Sequence, residues 1–252
     1  MVDVHCHLTS GRFERDRAKV IEQADRQLEA VIISTTHPDD AKKALKLCQE
    51  YPSLLHVTLG LHPVYAPEIG DREIEDYLKF IKSHRAEIVG IGEVGLDYHW
   101  IKDAAKIKRM RAVFIEFLKL ARELDLPVVL HLREAIGEGL DIVRSYGMKK
   151  VVFHCFNGTE KQAEEISRHN YYMSIATNIL KSRNIGQSAK IPPLSQLLTE
   201  TDSPYLGPMG RRNVPQNVSL VIDKLAELRD LPSDELNEIT SRNARKAFGL
   251  PE

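Results

Sequence analysis

Short runs of β-branched and apolar residues recur along the chain, separated by longer stretches in which apolar residues return every three or four positions among charged ones. The first pattern is that of buried strands and the second that of amphipathic helices. Their alternation from one end to the other predicts a parallel sheet, because parallel neighbours need a crossover that is usually helical. The runs place strands near Val2 to His5, Ala30 to Thr35, Leu55 to Leu61, Ile88 to Val94, Pro127 to Leu132, Val151 to His154, Tyr171 to Ile175 and Leu197 to Thr199, the last two weakly patterned.

Among the intervening helices, Lys106 to Leu124 is clear, with Val113, Phe114, Phe117, Leu118 and Ala121 along one face. Asp39, Asp71 and Ser233 stand where N-caps are useful, and Pro127 opens a buried run just after a helix. The segment from Val214 to Phe248 reads as two helices joined around Asp230 to Ser233, the second packing under or beside the sheet through Ile239, Ala244 and Phe248. The expected fold is α/β, a (β/α)8 TIM-type barrel. No repeat, linker or low-complexity stretch divides it, so residues 1–252 are expected to form one domain.

Composition supports this frame. Apolar residues make up 42% of the 252 and charged residues 28%, enough to fill a large core and solvate its surface. Without an apolar run of about 18 residues, and with Met1 leading directly into Val2-Asp3-Val4-His5, neither a membrane span nor a leader is expected. The three cysteines, Cys6, Cys48 and Cys155, form no CxxC pair, so the cytoplasm is the expected compartment. A net charge of −1 argues against a surface that grips nucleic acid everywhere, but allows a local basic rim. Lys102, Lys106, Lys108, Arg109 and Arg111 read more simply as a solvated helix face; Arg211 and Arg212 are a separate pair.

The chemistry gathers at the C-terminal ends of the strands, where barrel enzymes carry their active sites. The first strand ends in His5-Cys6-His7, the fourth in Gly92-Glu93, the fifth in His131, the sixth in His154 and the eighth in Asp202. Residues two apart on a strand share a face, so His5 and His7 aim together into the mouth while Cys6 points to the helices, as does Cys155 after His154. Asp3 is expected to turn away from the histidines. A single buried histidine is more often a hydrogen-bonded core residue than a ligand. Six such groups on one rim would be costly to desolvate without a cation, and they predict a metal centre of His5, His7, Glu93, His131, His154 and Asp202. Six donors exceed what one tetrahedral zinc needs, and suit two divalent ions with Glu93 as the bridge. Zinc, manganese and magnesium stay open as the ions, the mixed donor set leaning to zinc, manganese, iron or cobalt.

Six blocks are spread along the chain, and the match they mark covers nearly its whole length: Asp3-Val-His5-Cys-His7-Leu8, Gly60-Leu-His62-Pro63, Gly92-Glu93-Val-Gly95-Leu-Asp97-Tyr98, Leu126 to Ala135, His154-Cys-Phe-Asn-Gly158, and Glu200-Thr-Asp202-Ser-Pro-Tyr205-Leu206. Together they resemble the TatD family of metal-dependent deoxyribonucleases, within the amidohydrolase superfamily. HxH alone is widely shared, whereas the blocks around Glu93 and Asp202 are specific. Glu93 stands where many relatives outside this family carry a carbamylated lysine. Two positions depart from the family pattern: Asn213-Val214-Pro215 replaces Asn-Glu-Pro, and Phe117 stands where glutamine is common.

The resemblance implies a DNA-cleaving phosphodiesterase with exonuclease behaviour, and DNA as substrate; no obligate protein partner and no membrane contact is evident. The expected chemistry is attack on a phosphodiester by a hydroxide activated between two metals, with Glu93 and Asp202 as the catalytic carboxylates and Asp202 taking the proton of the water. His62, just past the third strand, and Arg133, two residues after His131, are the candidates to hold the phosphate. For Arg133 a salt bridge to Glu134 or Asp97 is an equal alternative. His99 and Trp100 could stack a base at the rim, and Asn157 and Tyr205 could orient ligands. Ser203 and Ser174 lack a histidine base, and a serine nucleophile is not needed. The same centre could instead hydrolyse a small-molecule ester, lactone, amide or aminoacyl ester, because barrel loops change specificity without moving the ligands. A purely structural metal is the third reading, and a four-ligand closed site would be its sign.

Overall fold

The computed structural model describes residues 1–251, so the expected domain span of 1–252 ends on a residue, Glu252, that lies outside the described residues. The chain forms a (β/α)8 barrel. Among the described residues the strands are β1 (Val2–Cys6), β2 (Ala30–Ser34), β3 (Leu55–Leu59), β4 (Gly90–Asp97), β5 (Val128–Arg133), β6 (Val151–Phe153), β7 (Tyr172–Ile175) and β8 (Leu197–Thr199), paired in parallel in chain order. Between them run α1 (Arg17–Asp25), α2 (Pro38–Glu50), α3 (Asp71–Ser83), α4 (Ala104–Glu123), α5 (Ile136–Ser145), α6 (Glu160–Ser167) and α7 (Arg183–Ser188), with α8 (Val218–Arg229) and α9 (Ser233–Phe248) after β8. Each expected strand forms, with β4 running three residues further than its apolar run because Gly95 and Asp97 pair with His131 and Arg133. None of the helices among the described residues is long and apolar enough to cross a membrane.

The barrel closes with few bonds. Cys6 bridges Ser203, the His7 amide donates to the Ser203 carbonyl at 2.7 Å, and the Asp202 amide donates to the His5 carbonyl at 3.0 Å. Those closing bonds fasten the segment after β8 to the end of β1, which brings Asp202 beside the histidine pair.

Two β-bulges re-aim the site strands. Val4 and His5 together oppose Ile32, and Gly92 and Glu93 together oppose Val129. A bulge adds one residue and shifts the alternation of everything beyond it. Strict alternation would put Asp3, His5 and His7 on one face. With the bulge, Val2 and Val4 fill the barrel interior, Asp3 turns outward to Thr201, and His5 and His7 face in.

The interior layer of Val2, Val4, Ala30, Ile32, Val129, Val152 and Leu198 is capped at the strand starts by Ala244, Ala247 and Phe248 of α9. That helix packs under the barrel, leaving the opposite end for chemistry. Ile239, expected on its buried face, is only half-buried; Leu236, Thr240 and Asn243 take that face instead. Helix caps also differ from expectation. His37, Gly70 and Pro232 occupy the cap positions, while Asp39, Asp71 and Ser233 lie in the first turns. There the aspartates still meet the positive end of the helix dipole.

Candidate metal centre

The strand ends bring five of the six expected ligand residues, His7, Glu93, His131, His154 and Asp202, to the wall of one mouth, a cavity of about 620 Å³ that also includes His62, Tyr65, Trp100, Arg133 and Tyr205, and the sixth, His5, lies beneath it against Glu93. His5 is fully buried, as the bulge in β1 demands. Its Nε2 lies 3.3 Å from His7 Nε2, 2.9 Å from Glu93 Oε2 and 4.0 Å from Asp202 Oδ1. His7 Nε2 is 3.2 Å from Asp202 Oδ1. His154 Nε2 approaches the same Oε2 at 3.3 Å, its ring stacked on that of His5 at 3.8 Å between centres, and His62 Nε2 stands 3.4 Å from Oε1. Glu93 is thus common to two groups of close donors, one with His5 and His7 and one with His131 and His154.

The outward-facing ring nitrogens fix which nitrogen is left for an ion. His7 Nδ1 donates to the Ser34 carbonyl at 2.9 Å, and His154 Nδ1 donates to Glu200 Oε1 at 3.0 Å. In its neutral form each ring then presents the Nε2 lone pair to the mouth. Ser34 Oγ, 3.0 Å from both His5 Nδ1 and Thr58 Oγ1, can accept from the ring while donating to Thr58. His62 is the opposite tautomer: the Val64 amide donates to its Nδ1 at 3.3 Å, so Nε2 carries the hydrogen into the cavity. His131 differs again, with Nε2 turned to Asp97 Oδ2 at 3.1 Å.

Electrostatics sharpen the picture. Burial alone would raise the Glu93 pKa, yet the imidazoles of His62, His5 and His7 hold it well below the carboxylate range. Burial likewise opposes ionisation of Asp202, and His7 overcomes it through its hydrogen bond. His7 and His154 are pulled down by burial but pushed up to about 9 by Asp202 and Glu93, and by Glu200 and Glu93, respectively. His62 falls to about 3 through burial and the neighbouring His131. Buried anions, flanked by ring nitrogens and with Glu93 Oε2 lacking a hydrogen-bond partner among the described residues, form a donor set that a divalent cation would satisfy.

The remaining candidates lie around this mouth or outside it. Arg133 ends β5 exposed at the mouth, its guanidinium 5.6 Å from the centre of the Trp100 ring. The alternative salt bridges do not form: Glu134 pairs with His99 and Lys102, and Asp97 with His131. Trp100 is 65% exposed at the rim. Tyr205 meets His7 only edge-on, at 5.7 Å between ring centres. Asn157 lies away in a neighbouring cavity. The orienting groups are instead Ser34 and Glu200, neither of them expected in that role, while Asp97 holds the Nε2 of His131. Glu200 had a readable signal, an acidic residue directly after the buried run of β8 and two residues before Asp202. The Cys155 amide shares Glu200 Oε1 at 2.8 Å, held there by a backbone at φ +46°. Among Lys102, Lys106, Lys108, Arg109 and Arg111, four pair with carboxylates: Lys102 with Glu134, Lys106 with Glu68, Arg109 with Asp71 and Arg111 with Glu138, as a solvated face would.

The sequence matches the family described as TatD related DNase over residues 2–249. An uncharacterized metal-dependent hydrolase of Methanocaldococcus jannaschii is 35% identical, covering 98% of this chain and 96% of its own. The human deoxyribonuclease TATDN3 is 32% identical over 98% of this chain and 94% of its own. The crystal structure of a TatD homologue from Escherichia coli superposes with a TM-score of 0.92 at 28% identity, covering 100% of this chain and 98% of that one.

Proposed function

The chain belongs to the TatD-related DNase family, and from that premise we propose that it is a metal-dependent phosphodiesterase that cleaves DNA, working from a strand end as an exonuclease. The observation that carries this reading is the buried Glu93 carboxylate shared by two groups of imidazoles. His5, His7, Glu93 and Asp202 would hold one divalent ion, and Glu93, His131 and His154 a second, with zinc, manganese or magnesium as the ions. When bound, such a pair supplies Lewis acidity and lowers the pKa of a water.

The side chains do the rest. Asp202, kept ionised by His7, is the base that takes the water's proton. His62 presents Nε2–H to a phosphate oxygen, and Arg133, unpaired with any carboxylate among the described residues, offers a second donor. His131 must exchange its hydrogen bond to Asp97 for its ligand role. We also propose that residues 1–252 are one catalytic domain, since His5 and Asp202 reach the site from opposite ends of the chain. Cytoplasmic placement is proposed on the three free thiols.

The test is to strip the purified protein, reload it with single metals, and supply end-labelled DNA beside a panel of esters, lactones and amides. Metal-dependent shortening of DNA from an end is expected. Turnover confined to the small molecules would overturn the reading. Arg133→Ala and His62→Ala should raise KM for DNA while metal content holds.

A further inference from the structure

A second groove opens beside the metal-binding mouth and shares two of its walls, Tyr205 and Leu206. Its volume is about 870 Å³. Arg12, Lys181, Arg211 and Arg212 line it, and no carboxylate does. Arg212 is spoken for, paired with Asp16 and lying over the Phe13 ring. Arg12, Lys181 and Arg211 have no ion-pair partner among the described residues, although other exposed cations of this protein commonly do. The Arg12 guanidinium lies 5.1 Å above the Tyr205 ring, whose edge meets His7. One aromatic ring thus joins the cationic groove to the proposed ligands. A neighbouring cavity shares Arg133 with the mouth, but its lining also carries Glu134 and Glu138, both already paired with cations. The groove with three unpaired cations and no carboxylate is the better path for an anion.

We propose that this groove carries the phosphodiester backbone of the nucleic-acid strand beyond the scissile link, with Arg12, Lys181 and Arg211 each meeting a phosphate. The assignment rests on the phosphodiesterase reading for its direction. Exposed apolar surface favours a strand with unpaired bases over a bare polyanion: Tyr205 is 45% exposed, Leu206 38% and Met209, on the same loop, 79%. The mouth alone would accept a single diester; the groove would give preference to a chain.

Binding is measured on metal-free full-length protein, by fluorescence anisotropy of a labelled single-stranded oligonucleotide across a salt series. Each phosphate neutralised on a single strand adds about 0.7 to the slope of log affinity against log salt. Combining Arg12→Gln, Lys181→Gln and Arg211→Gln should lower that slope by about 2 and weaken binding on the order of 100-fold at 0.1 M salt. These side chains are exposed, and circular dichroism checks that the fold is kept. Inorganic polyphosphate of equal charge, having no bases, should compete about 10-fold less well. With metal restored, the ratio of kcat/KM on a long strand to that on bis(p-nitrophenyl) phosphate should fall in the triple variant. Unchanged affinity and slope would overturn the groove even if DNA cleavage stands, and so would polyphosphate competing equally. Lost binding in a protein that cleaves no DNA would support the groove and remove the nuclease reading alone.

Discussion

Glu200 and His154 are locked together at 3.0 Å, the carboxylate accepting from Nδ1 so that Nε2 faces Glu93. The same oxygen accepts the Cys155 amide, which fixes the turn that delivers the ring. Glu200→Ala removes both bonds and frees the ring to rotate. Metal affinity should drop about 10- to 100-fold, as it does when outer partners of ligating histidines are lost. Glu200→Gln, which retains an acceptor, should recover part of it. Competition against a chelator measures both, and wild-type retention in the alanine variant would show that Glu200 does not orient the ring.

Asp202 combines an ionised carboxylate with contact to both His7 and His5. If it takes the proton of the attacking water, Asp202→Asn should cut kcat by about 10²- to 10⁴-fold, the usual worth of a positioned base. Its amide bond to the His5 carbonyl is a backbone contact and survives the change, so thermal stability should alter little. A variant that turns over DNA at wild-type rate would remove Asp202 from the chemistry.

The barrel and the convergence of the candidate ligands were legible because both follow from local patterns: apolar runs mark strands, and polar residues at their ends mark the mouth. The bulges at Val4-His5 and Gly92-Glu93 were not, since a bulge is a choice of register between strands far apart in sequence. Asp3 therefore turns away for a reason that alternation does not contain. Ser34 was unreadable for another cause: its carbonyl orients His7, and any residue type has a carbonyl. Asp39 and Asp71 were misplaced by one or two residues because acids favour both the cap and the first turn.

Metal binding should strengthen with pH. His7 and His154 sit near 9 in the metal-free protein, so below that value each carries a proton that an ion must displace. Between pH 6 and 8 the apparent manganese affinity of each site should rise by up to about one decade per unit, for about one proton released with each ion. Calorimetry in buffers of different ionisation enthalpy counts those protons directly. An affinity that is flat or falling over this range would mean that neither ring binds an ion.

Gly95 tests how tightly the sheet itself sets the site. Its φ is +148°, and a Cβ there would lie 2.1 Å from the His131 carbonyl oxygen, which belongs to the neighbouring strand. Gly95→Ala must push β5 outward at the position of a proposed ligand, adding backbone strain on the order of 1–3 kcal/mol to the clash. Gly147, at φ +65° with nothing within 4 Å, separates the two effects because alanine there brings strain without collision. Thermal melts should show a small loss for Gly147→Ala and a much larger one for Gly95→Ala. Metal stoichiometry should fall only in the second. Equal losses with full metal content in both would show that β4 and β5 can part without disturbing His131.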